Sequence, residues 1–261
     1  MRRRALMNSG GATNTYANYM TIRALESGLV VSVDTTYDEP FYYCIHSEGE
    51  WKILNRRSST PSIDAGDAIS FKSNREPNQS EGIGTFVITK TCSLEGNCMS
   101  LLYGDDVVEK PMKPYGFYSL FRYNAMIRSV SEDFLPATTL ATNCYRYIFS
   151  DCSSLTNAPK LPSMDLQPYC YYGMFDGCTS LVDAPVLPAT TLVSQCYTQM
   201  FYNCTKMNYI KAMFTTTPSI TYTDSWVYGV AASGTFVKNK NATWTATGNS
   251  YAPKNWTIIT E

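Results

Sequence analysis

The stretch that decides the fold is Cys144-Tyr-Arg-Tyr-Ile-Phe149-Ser-Asp-Cys152-Ser-Ser-Leu155-Thr-Asn-Ala158-Pro-Lys-Leu161-Pro162. Its columns return every 26 residues: Cys170, Phe175, Cys178 and Leu181, then Cys196, Phe201 and Cys204. Leu135-Pro136, Leu161-Pro162 and Leu187-Pro188 keep the same spacing, and Pro136-Ala-Thr-Thr-Leu140 recurs unchanged as Pro188-Ala-Thr-Thr-Leu192. Many fixed columns at one period mark a repeat architecture, in which each unit buries its apolar side only against its neighbours. A degenerate copy, with Phe117, Phe121, Ile127 and Val130, precedes the three regular ones after an allowance of two inserted residues.

Within one unit, Cys144, Tyr145, Ile148, Phe149 and Cys152 fall on one face of a helix of about two turns. Leu155, Ala158 and Leu161 then point inward at intervals of three, the rhythm of a short strand on the far side of a coil. Proline at 159, 162, 185 and 188 suits bends and sheet margins. Coils of this kind are expected to stack at about 4.8 Å. The six repeat cysteines are expected to be small buried apolar side chains, not disulfides or metal ligands, because both columns lie on the inward face beside phenylalanine and no His accompanies them.

The string Phe149-x-x-Cys152-x-x-Leu155-x-x-Ala158-x-x-Leu161-Pro162 resembles the signature of BspA-like leucine-rich repeats, and Phe175 to Pro188 resembles it again. The match covers roughly residues 117–212. It departs in period, which is commonly about 23 in that family, and in placing Ala where Ile is usual. The resemblance implies a leucine-rich-repeat solenoid and a role in surface recognition or adhesion, as in bacterial and some protist members. Chains of this overall type also resemble proteins of gut anaerobes and their phages.

The flanks read as β. Residues 19–33 alternate, and Phe41 to Ile45, Trp51 to Leu54, Ala68 to Phe71, Thr85 to Ile88 and Met99 to Tyr103 are short apolar runs separated by Gly, Pro and Asn. Short strands at near-regular spacing suggest a small sandwich or barrel. Asn74 to Gly84 is a polar loop of the kind that carries binding function or tolerates insertion. After the repeats, Trp226, Val227, Phe236, Val237, Trp244, Trp256 and Ile258 are spaced like strands of a cap, which an open repeat end needs. The expected class is α+β: a terminal segment (1–18), an N-terminal all-β sandwich-like domain (19–107), a leucine-rich-repeat array (108–212) and a β-rich C-terminal cap (213–261).

Composition bounds the function. The chain has 261 residues, 44% hydrophobic but only 16% charged, with net charge −1 and 20 Tyr. No general electrostatic pull toward nucleic acid or anionic membrane follows, and Arg2-Arg3-Arg4 reads as a solvated start. Neither a secretory leader nor a span of 18 apolar residues is legible, so the chain is expected to act where it is made or to leave in an assembly such as a virion.

Catalytic and metal motifs are weak. His46 is the single His; Cys44, Cys92 and Cys98 sit outside the repeats at spacings that miss a zinc knuckle. Tyr103-Gly-Asp-Asp106 matches the metal-binding turn of polymerases as a four-residue string, yet a solvated turn accounts for it fully. No cofactor, metal or catalytic residue is assigned. The preferred reading is a non-enzymatic structural or recognition protein, located in a virion appendage, fibre or decoration. The alternatives are an exported bacterial surface adhesin and a glycan or cell-wall hydrolase with a repeat targeting arm. Candidate surface residues, off the inward columns, are Tyr147, Asn157, Lys160, Tyr172, Asp183 and Tyr202. The expected partners are a protein or glycan on a cell surface, or other virion proteins, without nucleic acid or membrane insertion; a homo-oligomer is compatible with the array.

Overall fold

The computed structural model describes residues 15–261; the arginine run and most of the terminal segment lie outside the described residues. Eleven strands and two one-turn helices make a mostly β molecule of three sheets, none of them closed into a barrel among the described residues. The N-terminal part contains β1 (Met20–Ala24), β2 (Val31–Asp34), β3 (Phe41–Ile45), β4 (Trp51–Leu54), β5 (Ala68–Lys72), β6 (Thr85–Ile88), β7 (Cys92–Glu95) and helix α1 (Ser100–Tyr103). A further strand, β8 (Ile127–Val130), lies inside the degenerate repeat. The largest sheet has the order β4-β3-β5-β1-β7-β8, and β2 pairs with β6. Phe86 of β6 meets Phe41 of β3 and Phe71 of β5 edge-on, with ring centroids 5.4 and 5.1 Å apart, so the two sheets face each other across one core.

Two elements differ from the sequence reading. Met99 to Tyr103, expected as a strand, is a single helical turn: the Asn97 side chain accepts the Met99 N–H, and Ser100 Oγ donates to Phe71 O while accepting the Met20 N–H. That hydroxyl ties the turn across two strands, a use of Ser that apolar periodicity does not register. The strand actually present is β7, whose Cys92 and Leu94 face inward while Ser93 and Glu95 face out. Because β8 pairs in parallel with β7, the large sheet runs from the N-terminal part directly into the repeats.

The repeats contain no α-helix at 144–152. A left-handed residue stands at every fourth position instead: Asn143, Tyr147 and Asp151 (φ 58°, 58° and 61°), and correspondingly Tyr169, Gly173, Gly177 and Gln195, Gln199, Asn203. Each is the third residue of a turn closed by an i to i+3 bond, such as Cys144 N to Ala141 O and Ile148 N to Tyr145 O. That is the φ sign type II turns require there, and it prevents the i to i+4 ladder of a helix. Alternate N–H groups are thereby turned outward along the stack. Tyr145, Tyr147, Phe149 and Asp151 donate to the carbonyls of Cys170, Tyr172, Met174 and Asp176, at 3.0, 2.9, 3.0 and 2.6 Å. The same pattern joins 117–123 to 144–150, 169–177 to 194–202, and 195–203 to 221–228.

Side chains stack in step with the backbone. Phe121, Phe149, Phe175 and Phe201 are offset-parallel, 5.7 to 5.9 Å between centroids. Tyr145, Tyr171 and Tyr197 form a second column that ends on Trp226. All nine cysteines are free and buried. Cys152, Cys178 and Cys204 each donate a thiol hydrogen bond to the carbonyl of the phenylalanine one repeat earlier, Phe121, Phe149 and Phe175, at 3.2, 3.1 and 3.0 Å. In the degenerate first repeat Asn124 takes the cysteine place, and its amide bonds to Phe86 O while its carbonyl accepts the Ile88 N–H. Together with the Phe86 N–H on Leu120 O and the Thr85 hydroxyl on Ser119 O, it joins the stack to β6.

The strand side is less regular than expected, because prolines withhold the N–H groups a ladder needs. Residues 156–160 bond back to Arg128 and Glu132, while Ala184 and Leu187 bond forward to β9 (Tyr209–Ala212). At the C-terminus, β9, β10 (Thr235–Lys238) and β11 (Thr257–Thr260) form a parallel sheet in the order β11-β10-β9. Helix α2 (Ile220–Thr223) opens the last turn segment. Trp226, fully buried, then lies beneath Tyr197 and Phe201, and its Nε1 donates to Tyr251 O.

Phe175→Ala removes the middle ring of the phenylalanine column. We expect a loss of about 3–5 kcal/mol in a urea titration; a loss under about 1 kcal/mol is incompatible with this placement. Burial pushes the Cys92, Cys144 and Cys196 thiols up to about 12 and raises those of Cys98, Cys152, Cys170, Cys178 and Cys204 as well, so these eight should resist Ellman's reagent at about pH 8 in the folded chain and react fully in guanidinium chloride.

Candidate functional site

The six surface candidates do not form one surface. Asn157, Lys160 and Asp183 lie on the strand side. Asn157 accepts the Val130 N–H through Oδ1 (3.2 Å) and donates Nδ2 to Val130 O (2.7 Å), imitating a strand partner for β8. Lys160 is exposed and paired with Glu132 at 2.5 Å. Asp183 is exposed and bridges through its backbone to Tyr209. Tyr147, Tyr172 and Tyr202 lie on the turn side. Tyr147 meets Tyr172 edge-on at 5.3 Å, whereas Tyr202 sits farther along and stacks on Tyr228 at 4.8 Å.

Around Tyr147 and Tyr172 the fold assembles a cluster that the sequence reading missed. Arg122 lies 4.6 Å from the centroids of both Tyr123 and Tyr147. Arg146 lies 4.5 Å from Tyr172, 5.2 Å from Tyr147, 5.5 Å from Tyr169 and 5.9 Å from Tyr118. Tyr147 is thus held between two guanidinium groups. Its ring also lies over Gly173: a Cβ there would come within 2.3 Å of Tyr147 Cε1, and φ at Gly173 is +57°. The left-handed backbone at Tyr147 aims the ring along the stack, and the missing side chain in the next repeat lets it lie down. The arginines escaped notice because they do not recur. The places 26 residues after Arg146 hold Tyr172 and Thr198, and Arg122 belongs to the degenerate repeat. The available signal was the local pair of motifs Phe121-Arg-Tyr123 and Tyr145-Arg-Tyr147.

Neither arginine is neutralised by an ion pair among the described residues, and the guanidinium of Arg146 makes one polar bond, Nη1 to Asn143 Oδ1 at 3.3 Å. Next to them is an acidic pair. Asp176 is half-buried; burial first, and then the charge of Asp151, push its carboxyl up to about 6, against the opposing pull of Arg122. At its N-terminal end the face runs into a cleft of about 470 Å³ whose lining includes Asp34, Glu81, Tyr118, Arg122 and Asn124. Thr36 holds both Glu81 carboxylate oxygens through its N–H and hydroxyl.

The remaining chemical candidates are engaged elsewhere. His46 Nε2 hydrogen-bonds Ser70 Oγ at 2.8 Å, its ring stacks on Tyr16, and burial lowers its pKa. Cys44, Cys92 and Cys98 are buried, and among the described residues no three His, Cys, Asp or Glu side chains are grouped to hold a metal ion. Asp105 of the Tyr103–Asp106 string accepts from Lys72 at 2.8 Å and from Tyr19 at 2.7 Å, bonds that hold its carboxyl below the usual range. Lys72 in turn lies 4.4 Å from the Trp51 ring, so this aspartate is a tie between the turn and the sheet. No helix among the described residues is long and apolar enough to cross a membrane. Comparison with protein-family models, with curated proteins and with solved structures finds no match to the chain.

The raised Asp176 carboxyl makes a pH prediction. A folded pKa above the unfolded value near 3.8 means this group's stabilisation is complete below 3.8 and is lost as pH rises through about 6. The stability difference between Asp176→Asn and the parent should therefore move in favour of the variant as pH rises across that window. A difference that stays flat in parallel thermal melts contradicts the assignment.

Proposed function

We propose that this chain is a non-enzymatic recognition protein: a BspA-like leucine-rich-repeat solenoid, joined to an N-terminal sandwich-like part and closed by a β-rich cap. It presents the tyrosine–arginine face of its turn side to a glycan or protein on a cell surface. The observation that carries this reading is the cluster of Tyr118, Arg122, Tyr147, Tyr169, Tyr172 and Arg146 on rigidly laddered backbone. Tyrosine and arginine supply large contact area and directional donors at small entropic cost, the composition of binding hot spots. The preferred venue is a virion appendage, fibre or decoration, with a bacterial surface adhesin as the alternative. The N-terminal sheets serve as attachment and the repeats face outward.

A hydrolase reading draws on Asp34 and Glu81 at the cleft. Sugar hydrolysis needs two carboxylates free to act on the bond, and the Thr36 bonds to Glu81 count against it.

The test is cell binding by the parent and by Tyr147→Ala/Tyr172→Ala. Binding that falls about tenfold or more, as loss of two central aromatic anchors predicts, with an unchanged thermal transition supports the reading. Undiminished binding removes this face from recognition. Detection of the chain in purified virions by mass spectrometry decides between the two venues.

A further inference from the structure

The two arginine side chains lie over tyrosine rings. Arg122 is sandwiched between Tyr123 and Tyr147 at 4.6 Å from each, and Arg146 rests against four tyrosine rings within 6 Å. Stacking fixes a guanidinium plane without using the N–H donors along its edge. Those donors are almost unspent. Arg122 makes no side-chain hydrogen bond or ion pair among the described residues, and Arg146 makes the single 3.3 Å bond to Asn143. The Nε atoms of both are buried without a partner, which leaves the terminal nitrogens as the donors that can meet a ligand. Asp176 senses Arg122 but is not within ion-pair distance of it, so among the described residues no carboxylate occupies the forks. A planar fork held in place with its edge free is the arrangement that binds a carboxylate or sulfate bidentately.

The surrounding backbone narrows the ligand further. Tyr147 N–H is spent on Tyr172 O, Ser119 N–H on Arg146 O, Tyr123 N–H on Ser150 O, and Tyr172 N–H on Tyr169 O. A peptide strand laid here finds no main-chain ladder to join, the usual source of its affinity. A sugar needs none: its C–H face stacks on tyrosine, and its charged substituent meets the arginine edge.

We propose that this face binds an acidic glycan, with Arg122 and Arg146 as the forks for its carboxylate or sulfate groups and Tyr147 as the ring that seats both guanidinium groups. This rests on the recognition reading above and adds the charge class of the ligand.

The test applies the full chain to an array bearing hexuronate-containing, sialylated and sulfated glycans beside neutral glycans, with poly-glutamate as the acidic peptide. Selective binding of an acidic class is expected. It should fall about tenfold or more in Arg122→Gln/Arg146→Gln, the loss of one charge-assisted contact or greater. Arg122→Lys/Arg146→Lys should recover little, since lysine keeps the charge and loses the fork. Thermal transitions matching the parent exclude misfolding; if the double variant is unstable, the two single variants carry the test. Equal binding of neutral and acidic glycans, abolished by Tyr147→Ala/Tyr172→Ala, overturns the acidic anchor and leaves the recognition face standing. Poly-glutamate bound in preference to every glycan overturns it in favour of a peptide. Absence of binding to any array member overturns the acidic-glycan assignment, and cell binding that persists in the same preparation leaves the recognition face standing.

Discussion

The structure depends on a backbone constraint: one left-handed residue in every four along the turn side of each repeat. Left-handed backbone costs a non-glycine residue about 1–2 kcal/mol, and Asn143, Tyr147, Asp151, Tyr169, Gln195, Gln199 and Asn203 all adopt it. The return is that alternate N–H groups point along the stack and every second carbonyl receives one from the repeat before. Burial makes that return decisive, because an unpaired backbone group in a dry interior costs more than the local strain. A helix in the same place satisfies its own backbone and offers its neighbour only side chains.

Two consequences follow from that geometry. The ladder sets the repeats in register, so identical side chains fall on one another and the phenylalanine and tyrosine columns stack almost parallel. It also explains the cysteines. A small side chain with a weak donor fits beneath the preceding phenylalanine and gives its thiol hydrogen to that residue's carbonyl. Where the stack must meet a sheet instead of another repeat, Asn124 replaces cysteine and reaches β6 with both ends of its amide. On the outer side the same register sets Tyr147 over the vacant space at Gly173 and between two arginines.

The ends of the array are closed in different ways. At one end β8 enters the large sheet beside β7, so the first repeat and the N-terminal part share one apolar core. At the other, Trp226 takes the last place in the tyrosine column, and Ser250 and Tyr251 receive the hydrogen bonds of Thr223 and of the Trp226 indole. A repeat stack exposes an apolar face wherever it stops, and here each end is covered by a different device built from aromatic area plus a few directed bonds.

The sequence by itself determined the period, the inward columns, the buried free cysteines and most strands of the N-terminal part, because these follow from apolar spacing, which short-range patterns carry directly. It did not determine the turn spiral at 144–152: spacings of four suit a helix and a chain of turns alike, and although Asn143, Asp151, Gly173, Gly177 and Asn203 are types that favour left-handed backbone, Tyr147, Tyr169, Gln195 and Gln199 in the same positions are not. Nor did it reveal that Asn157 serves as a strand partner while Tyr147 joins a surface cluster, since both read only as positions off the core. Arg122 and Arg146 stand 24 residues apart in unequal repeats. Only the stacking of one coil on the next brings both against the same ring, and that proximity belongs to tertiary structure alone.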